Sequence, residues 1–457
     1  MPSLHRSTMG RLVLQAAAGC RSGWAQRAPA SMWARGYSTE QNDATSGLPP
    51  AQGPLVGVKV LDLGQVVAGN FCGALLAYFG ADVIKVEAPK KGDALRSLRT
   101  LDPSGTSLWW RCHGRNRKCV TINLNVPEGR ELVKRLSANV DVLVENFRPG
   151  VMEGWGLGPA HLRPDLIYTR ISGYGQTGPR APDPGYASVC EAYGGFRHLN
   201  GYPDRPPVRP NISLGDTLAG LHGAFGAVMA LLHRNKLRQQ QQPGASAAVG
   251  GQVVDAAISE SVFNMLESCV AEVAMAGEDR QPSGSTISGV VPSGTFHTKD
   301  DRYVVIGGNG DSVYTRLMSA IGRPDMGSHN PSYATNSHRV AAEGEIMGAI
   351  AAWCSQHTLD EVMAAMNQAR VPAGPILSTA AIMQEPQYKA RGMFHTAAPP
   401  SGGAAVTMPA LLPVLSGTPG ATRWAGPELG EHTEQVLKTE LGLTDAELEG
   451  LRAKGAI

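Results

Sequence analysis

The chain has 457 residues, 42% of them hydrophobic and 18% charged, with a formal net charge of +2. That length admits two or three domains, the composition is that of an ordinary globular protein, and the charge balance gives no sign of the basic surface of a nucleic-acid binder. The seven cysteines form no CxxC pair, which sets aside a zinc site or a disulfide framework; no uninterrupted apolar run is long enough to cross a bilayer, the nearest, Leu218–Leu232, being broken by glycines and His222.

The first segment differs from the rest. It carries Arg6, Arg11, Arg21, Arg27 and Arg35, with no acidic residue before Glu40. An arginine-spaced, acid-poor leader is the composition of a mitochondrial transit peptide. Arg35-Gly36-Tyr37-Ser38 resembles a matrix-protease site, so residues 1–37 are expected to be removed and the protein to reside in the mitochondrial matrix. Residues 38–54, rich in Pro, Gly and Ser, are expected to be a linker.

Regular elements begin after it. Val58–Leu63, Ala81–Val86, Cys119–Leu124, Asp141–Val144 and Leu166–Ile171 are short apolar runs that predict strands. Helical patterns at Asn70–Phe79 and Glu128–Leu136 fall between them. Strands alternating with helices predict a mostly parallel sheet covered on both faces. Thr217–Arg234 predicts a long helix, in which Gly220, Gly223 and Gly226 allow close approach of another backbone. Gln239–Gly251 is low in complexity and reads as a surface insertion. Asp255–Ala276 predicts another helix, Tyr303–Ile306 a strand within the glycine-rich stretch Gly289–Gly310, and Ser312 to about Ala390 a mainly helical region. Pro427–Ala453 carries a final helical pattern.

Several loops carry candidate chemistry. The turn after the first strand, Gly64 to Gly69, stands where ligands bind in parallel sheets, but it lacks GxGxxG and is equally a plain strand-to-helix turn. Asn146-Phe147-Arg148-Pro149-Gly150 offers an amide, an aromatic ring and a cation for adenine and phosphate; it also suits a capped turn. Arg115 to Lys118 is a basic cluster that fits phosphates or solvent. Asp216 opens the long helix, where an Asp commonly serves as N-cap. A carboxylate there can also attack a thioester to give a mixed anhydride, and a helix N-terminus is expected to keep it ionised. HExxH, P-loop and GxSxG motifs are absent, and the histidines are scattered.

Taken in order, these segments resemble the family III CoA-transferases. The resemblance rests on Gly57–Leu63, Gly80–Glu87, Asn116–Lys118, Val144–Gly150, Ile171–Gly175, Asp216, Val371–Pro375 and Leu429–Thr433. It implies a large Rossmann-like domain over residues 55–260, a small α/β domain over 261–395, a return to the large domain over 396–457, and two chains interlocked as a homodimer. It implies that Asp216 carries the acyl group as an anhydride. Coenzyme A contacts are implied at Val66, Ala68, Ile122, Asn125, Asn146, Phe147, Arg148 and Tyr186, with oxyanion donors near Gly307 to Gly310 or at Gly289. CoA thioester is then a substrate; no permanently bound cofactor, metal, nucleic acid or membrane is expected. Ala88-Pro89 and Gly154 depart from the family pattern and imply rearranged phosphate contacts.

The same fold houses α-methylacyl-CoA racemases. Those need a His that here is replaced in Gly185-Tyr186-Ala187, which disfavours two-base racemisation. A non-catalytic CoA-binding protein is a further alternative. Tyr202 to Arg209, and Gly308 to Asp311 with Arg316, resemble the subgroup that takes succinyl-CoA as donor and a small dicarboxylate as acceptor: malate, citramalate, itaconate or hydroxymethylglutarate. Itaconate is put first. Arg205 or Arg209 would pair with the distal carboxylate.

Overall fold

The computed structural model describes residues 49–240 and 250–457. The transit-peptide reading of 1–37 lies outside them, as do residues 38–48 of the linker and 241–249 of the insertion.

Six strands form one sheet: β1 (Lys59–Asp62), β2 (Asp82–Glu87), β3 (Arg117–Thr121), β4 (Val142–Glu145), β5 (Ile167–Ser172) and β6 (Gln252–Ala257). Their order is β3-β2-β1-β4-β5-β6, and every pair is parallel. The order reverses between β1 and β4, where Val60 to Asp62 pair with Val142 to Val144. A doubly wound sheet leaves a crevice at the carboxyl ends of the strands at such a reversal.

Both faces are buried, as continuous apolar strands require. Val60, Val83, Val142, Ile167 and Ile171 face α1 (Ala68–Tyr78) and the long helix that follows the crossover after β5. Leu61, Ile84, Val120, Leu143 and Tyr168 face the other side. There the cover is α3 (Pro127–Ser137) and, from the far end of the chain, α16 (Thr433–Leu441) and α17 (Asp445–Ala453). α2 (Leu108–His113) and the single turn α4 (Val151–Gly154) lie in the connections.

Between β5 and β6 run α5 (Ala187–Tyr193), α6 (Phe196–Leu199) and α7 (Leu214–Gln240). α7 is long and apolar enough to cross a membrane by length and composition alone. Ala219, Ala227, Ala230 and Leu231 bury one of its faces on the sheet. Gly220 sits where a Cβ would lie 2.6 Å from the carbonyl oxygen of Ala68, so α7 crosses the start of α1 at backbone contact.

The helix expected over Asp255–Ala276 is instead β6, then α8 (Ile258–Phe263) and α9 (Cys269–Ala276). β6 is an edge strand with Gln252 and Val253 exposed, so its outer half lacks the apolar run that marked its neighbours. A second core follows. β7 (Ser293–His297), β8 (Tyr303–Gly307) and β9 (Ala373–Pro375) form an antiparallel sheet. It packs with α10 (Asp311–Ala320), α11 (Asn336–Ala341), α12 (Glu343–Cys354) and α13 (Leu359–Ala369) around Phe296, Ile306, Leu317, Ile350 and Val362. α14 (Thr379–Ile382) and α15 (Pro386–Ala390) lead to the hairpin β10 (Phe394–Ala397) and β11 (Val406–Pro409), which the sequence reading did not anticipate. α16 and α17 replace the single expected helix because Gly442, at φ +67°, ends the first.

Candidate active site

The turn after β1 is held from below by buried charge. Gly64 and Gly69 meet back to back: a Cβ on Gly64 would lie 2.6 Å from the Cα of Gly69. Val66 stands at φ +58°, a left-handed conformation that a β-branched residue rarely adopts. Its N–H donates to both oxygens of Asp93, at 3.1 and 3.2 Å. Asn70 Nδ2 donates to Val66 O at 2.8 Å and to Asp93 at 2.7 Å. Lys85, fully buried, pairs with Asp93 at 3.5 Å and donates to Gly64 O. Burial opposes ionisation of Asp93, but Lys85 and the N–H donors around it outweigh burial and hold its carboxyl below the usual range.

The turn after β4 is fixed in the same manner. Glu145 Oε2 accepts the N–H of Phe147 at 2.7 Å, and Oε1 accepts Arg170 Nε at 2.7 Å. Burial pushes the Glu145 carboxyl up to about 7 despite Arg170. Asn146 bridges the two turns: its Oδ1 accepts Gln65 N–H at 2.6 Å and its Nδ2 donates to Gln65 O at 2.9 Å. Its amide thus ties the two turns together while Asn146 still lines the crevice between them.

Between the turns lies a cavity of about 370 Å³. Val66, Ala68, Asn146, Phe147, Arg148, Tyr186 and Asp216 all line it, joined by Gln65, Ile171 to Gly173, Asp183 to Gly185 and Ile258. Tyr186 is 77% exposed at its rim. Phe147 and Gln65 also line an adjoining cavity of about 100 Å³, with Ile122, Asn125, Val86 and Trp155. Phe147 and Trp155 meet edge to face there, with ring centroids 5.2 Å apart. Ile122 is itself 1% exposed and contributes a wall rather than a free side chain. The nine residues singled out from the sequence therefore share one crevice. The sequence reading had already singled out the Gly64 to Gly69 turn that holds Gln65, and the Gly185-Tyr186-Ala187 stretch, but missed Trp155, Asp183 and Pro184. Those arrive from connections whose path the sequence does not reveal.

Asp216 lies in the first turn of α7, inside the helix rather than as its N-cap. It is half-buried, and no hydrogen bond from a described residue lowers its pKa. Burial, then the negative charge of Glu191, pushes its carboxyl up to about 7, with Arg209 pulling the other way. The expected depression by the helix terminus is outweighed. A carboxylate poorly solvated and aimed into a cavity is a stronger nucleophile than one in water.

Other expectations are corrected. Gly307 and Gly308 donate their N–H groups to Pro372 O and Pro292 O within the second core, and neither they nor Gly289 lines this chain's cavity. Arg316, part of the subgroup resemblance, donates to the carbonyls of Ala369, Arg370 and Ser312, at 2.9 to 3.0 Å, and so caps α13. Arg205 stands over the Tyr202 ring at 5.0 Å. Of the basic cluster, Arg115 donates to Pro409 O and Cys112 O, and Arg117 pairs with buried Asp62; both are structural. Among the described residues no group of His, Cys, Asp and Glu has the arrangement of a metal site.

The sequence profile of CoA-transferase family III matches residues 55–433. The chain is 42% identical over 407 residues to succinyl-CoA–D-citramalate CoA-transferase of Chloroflexus aurantiacus, covering 88% of this chain and 98% of that protein. It is 30% identical to human succinyl-CoA:glutarate CoA-transferase, covering 88% and 90%. Among solved structures, a CAIB/BAIF family protein from Brucella suis superposes with a TM-score of 0.72 at 29% identity, covering 85% of this chain and all of that one.

Proposed function

The chain belongs to CoA-transferase family III, and from that premise we propose that it moves CoA from succinyl-CoA to a small dicarboxylic acid through an anhydride on Asp216. The observation that carries this reading is Asp216 itself, a half-buried carboxylate facing the crevice at the sheet's switch point. The relatives named for citramalate, malate and glutarate support a dicarboxylate acceptor. Itaconate, which is citramalate less the elements of water, is the acceptor put first.

Asp216 attacks the thioester carbonyl; a C–O bond forms, the C–S bond breaks, and CoA thiolate leaves with the electron pair. The acceptor carboxylate then displaces succinate at the Asp216 acyl carbon. CoA thiolate finally attacks the acceptor's acyl carbon, making the new thioester and restoring the carboxylate. The adenine is assigned to the smaller cavity beside Phe147 and Trp155, and Arg148 at the crevice to a CoA phosphate. Racemisation would need a second base beside the substrate α-carbon, and no imidazole lines the described cavity. His222 bonds instead to Ser261 Oγ at 2.9 Å.

A homodimer is part of the proposal. α7 exposes Leu221, Phe225, Met229 and Leu232 along one stripe, and α9 exposes Val270, Val273 and Met275. An apolar surface of that kind is what a second chain covers. Matrix residence rests on the arginine-rich leader, and N-terminal sequencing of the organellar protein tests it: an intact Met1 overturns the cleavage.

The test of function is incubation with succinyl-CoA and a panel of free acids, with new thioesters followed by mass spectrometry, beside Asp216→Ala. New thioester from a dicarboxylate, lost in the variant, supports the reading. No transfer, with solvent deuterium entering the α-carbon of a branched acyl-CoA, contradicts it.

A further inference from the structure

Behind Asp216 lies a second carboxylate. Glu191, on α5, is fully buried. Its Oε1 accepts the N–H of Gly215 at 3.1 Å, which ties it to the backbone just ahead of Asp216. Its Oε2 has no hydrogen-bond partner. Two guanidiniums face that oxygen without reaching it: Arg197 Nη2 at 3.6 Å and Arg209 Nε at 3.9 Å. Arg197 has both Nε and Nη2 buried and unpartnered. Those two donors lie along one edge of the guanidinium, the fork that matches a carboxylate with two parallel bonds.

With Asp216 in its reactive, ionised form the charges of the free site balance: two carboxylates, Asp216 and Glu191, stand with two guanidiniums, Arg197 and Arg209. Acylation changes that. When the Asp216 oxygen bonds to the acyl carbon and the thiolate departs with its electron pair, Asp216 becomes a neutral anhydride. One positive charge is left unmatched beside half-buried Arg197, while Arg209, 43% exposed, is partly screened by solvent. A succinyl group carries one free carboxylate and restores the balance. A butyryl group carries none.

We propose that Arg197 and Arg209, spaced by Glu191, form the subsite that takes the free carboxylate of the acyl group held on Asp216, and so select dicarboxylic acyl groups. This rests on the acyl-Asp216 reading given above. Glu191 acts as an internal counter-ion that keeps the arginines from binding free anions tightly before the acyl group arrives. Arg205, stacked over Tyr202, is outside this group.

The donor half-reaction isolates the effect. Purified full-length protein is mixed with succinyl-CoA or butyryl-CoA and hydroxylamine, and release of CoA thiol is followed, with the background taken from Asp216→Ala. The wild type is expected to prefer succinyl-CoA by about a hundredfold or more, since a site built to bind a polar group rejects the analogue lacking it. Arg197→Met is expected to reduce that ratio about tenfold or more, and Arg197→Lys, which keeps the charge but lacks the fork, to restore only part of it. Arg209→Met carries the same test should Arg197→Met fail to fold. A wild type that discriminates, with variants that lose both donors equally or keep the ratio, overturns the subsite while leaving acyl-Asp216 chemistry standing. A wild type that uses both donors equally overturns the subsite together with the dicarboxylate reading.

Discussion

At the scale of single residues the account turns on Asp216. Replacement by Asn keeps its shape and removes the nucleophile, so transfer is expected to fall on the order of a thousandfold or more in a steady-state assay. A variant with near-normal rate would remove Asp216 from the mechanism. The pH profile follows from its surroundings. With the carboxyl pushed up to about 7 by burial and then by Glu191, the protonated, unreactive form dominates below that value. kcat/KM should therefore rise with pH through one ionisation near 7 and level above it. Glu191→Gln keeps an oxygen for Gly215 N–H but removes the like charge, so this acid limb should move to lower pH. An unmoved limb would mean that the Glu191 charge is not felt at Asp216. Asp216 was legible in the sequence as a helix-opening carboxylate, and Phe147 and Arg148 as a strand-end pair. Glu191 and Arg197 were not, because only the folded path of residues 187 to 215 places them behind the nucleophile.

At the scale of elements, two contacts shape the crevice. The close crossing of α7 on α1 depends on Gly220, where an added Cβ meets Ala68 O at 2.6 Å. Gly220→Ala should cost about 1–3 kcal/mol, read as a lower denaturation midpoint. It should also weaken the enzyme, because Ala68 lines the cavity. Full stability in that variant would show that the helices can part without strain. The second contact is the Lys85–Asp93 pair beneath Val66. Asp93→Ala leaves a buried ammonium unpaired and should cost about 3–5 kcal/mol; urea unfolding measures it, and a loss within error would mean that Lys85 finds water or another partner. Strands β1 to β5 were legible as short apolar runs. β6 was not, since its outer half is exposed and lacks the continuous buried apolar run of its neighbours. The hairpin β10–β11 was also missed: its residues are mostly half-buried or exposed and carry little apolar alternation.

At the scale of the whole molecule, the chain leaves the parallel sheet after α9, builds a second core, and returns with α16 and α17 to cover the face that α3 leaves open. The sequence suggested that return through the late helical pattern and the match at Leu429–Thr433. It could not show what the return covers, because that depends on the strand order. The exposed stripe of α7 carries the quaternary prediction. Light scattering should give twice the chain mass, and Phe225→Glu, a charge placed on a side chain now 60% exposed, should shift the protein toward monomer. A wild-type monomer would leave that stripe without an explanation.

The central claim is that the acyl group passes through Asp216, and trapping tests it most directly. Protein treated with succinyl-CoA and hydroxylamine is digested and its peptides are weighed. The account predicts a hydroxamate on the peptide containing Asp216, dependent on succinyl-CoA. Transfer that proceeds to new thioester while neither an Asp216 hydroxamate nor succinyl hydroxamate above the Asp216→Ala background is trapped would contradict it, since hydroxylamine attacks either carbonyl of the anhydride.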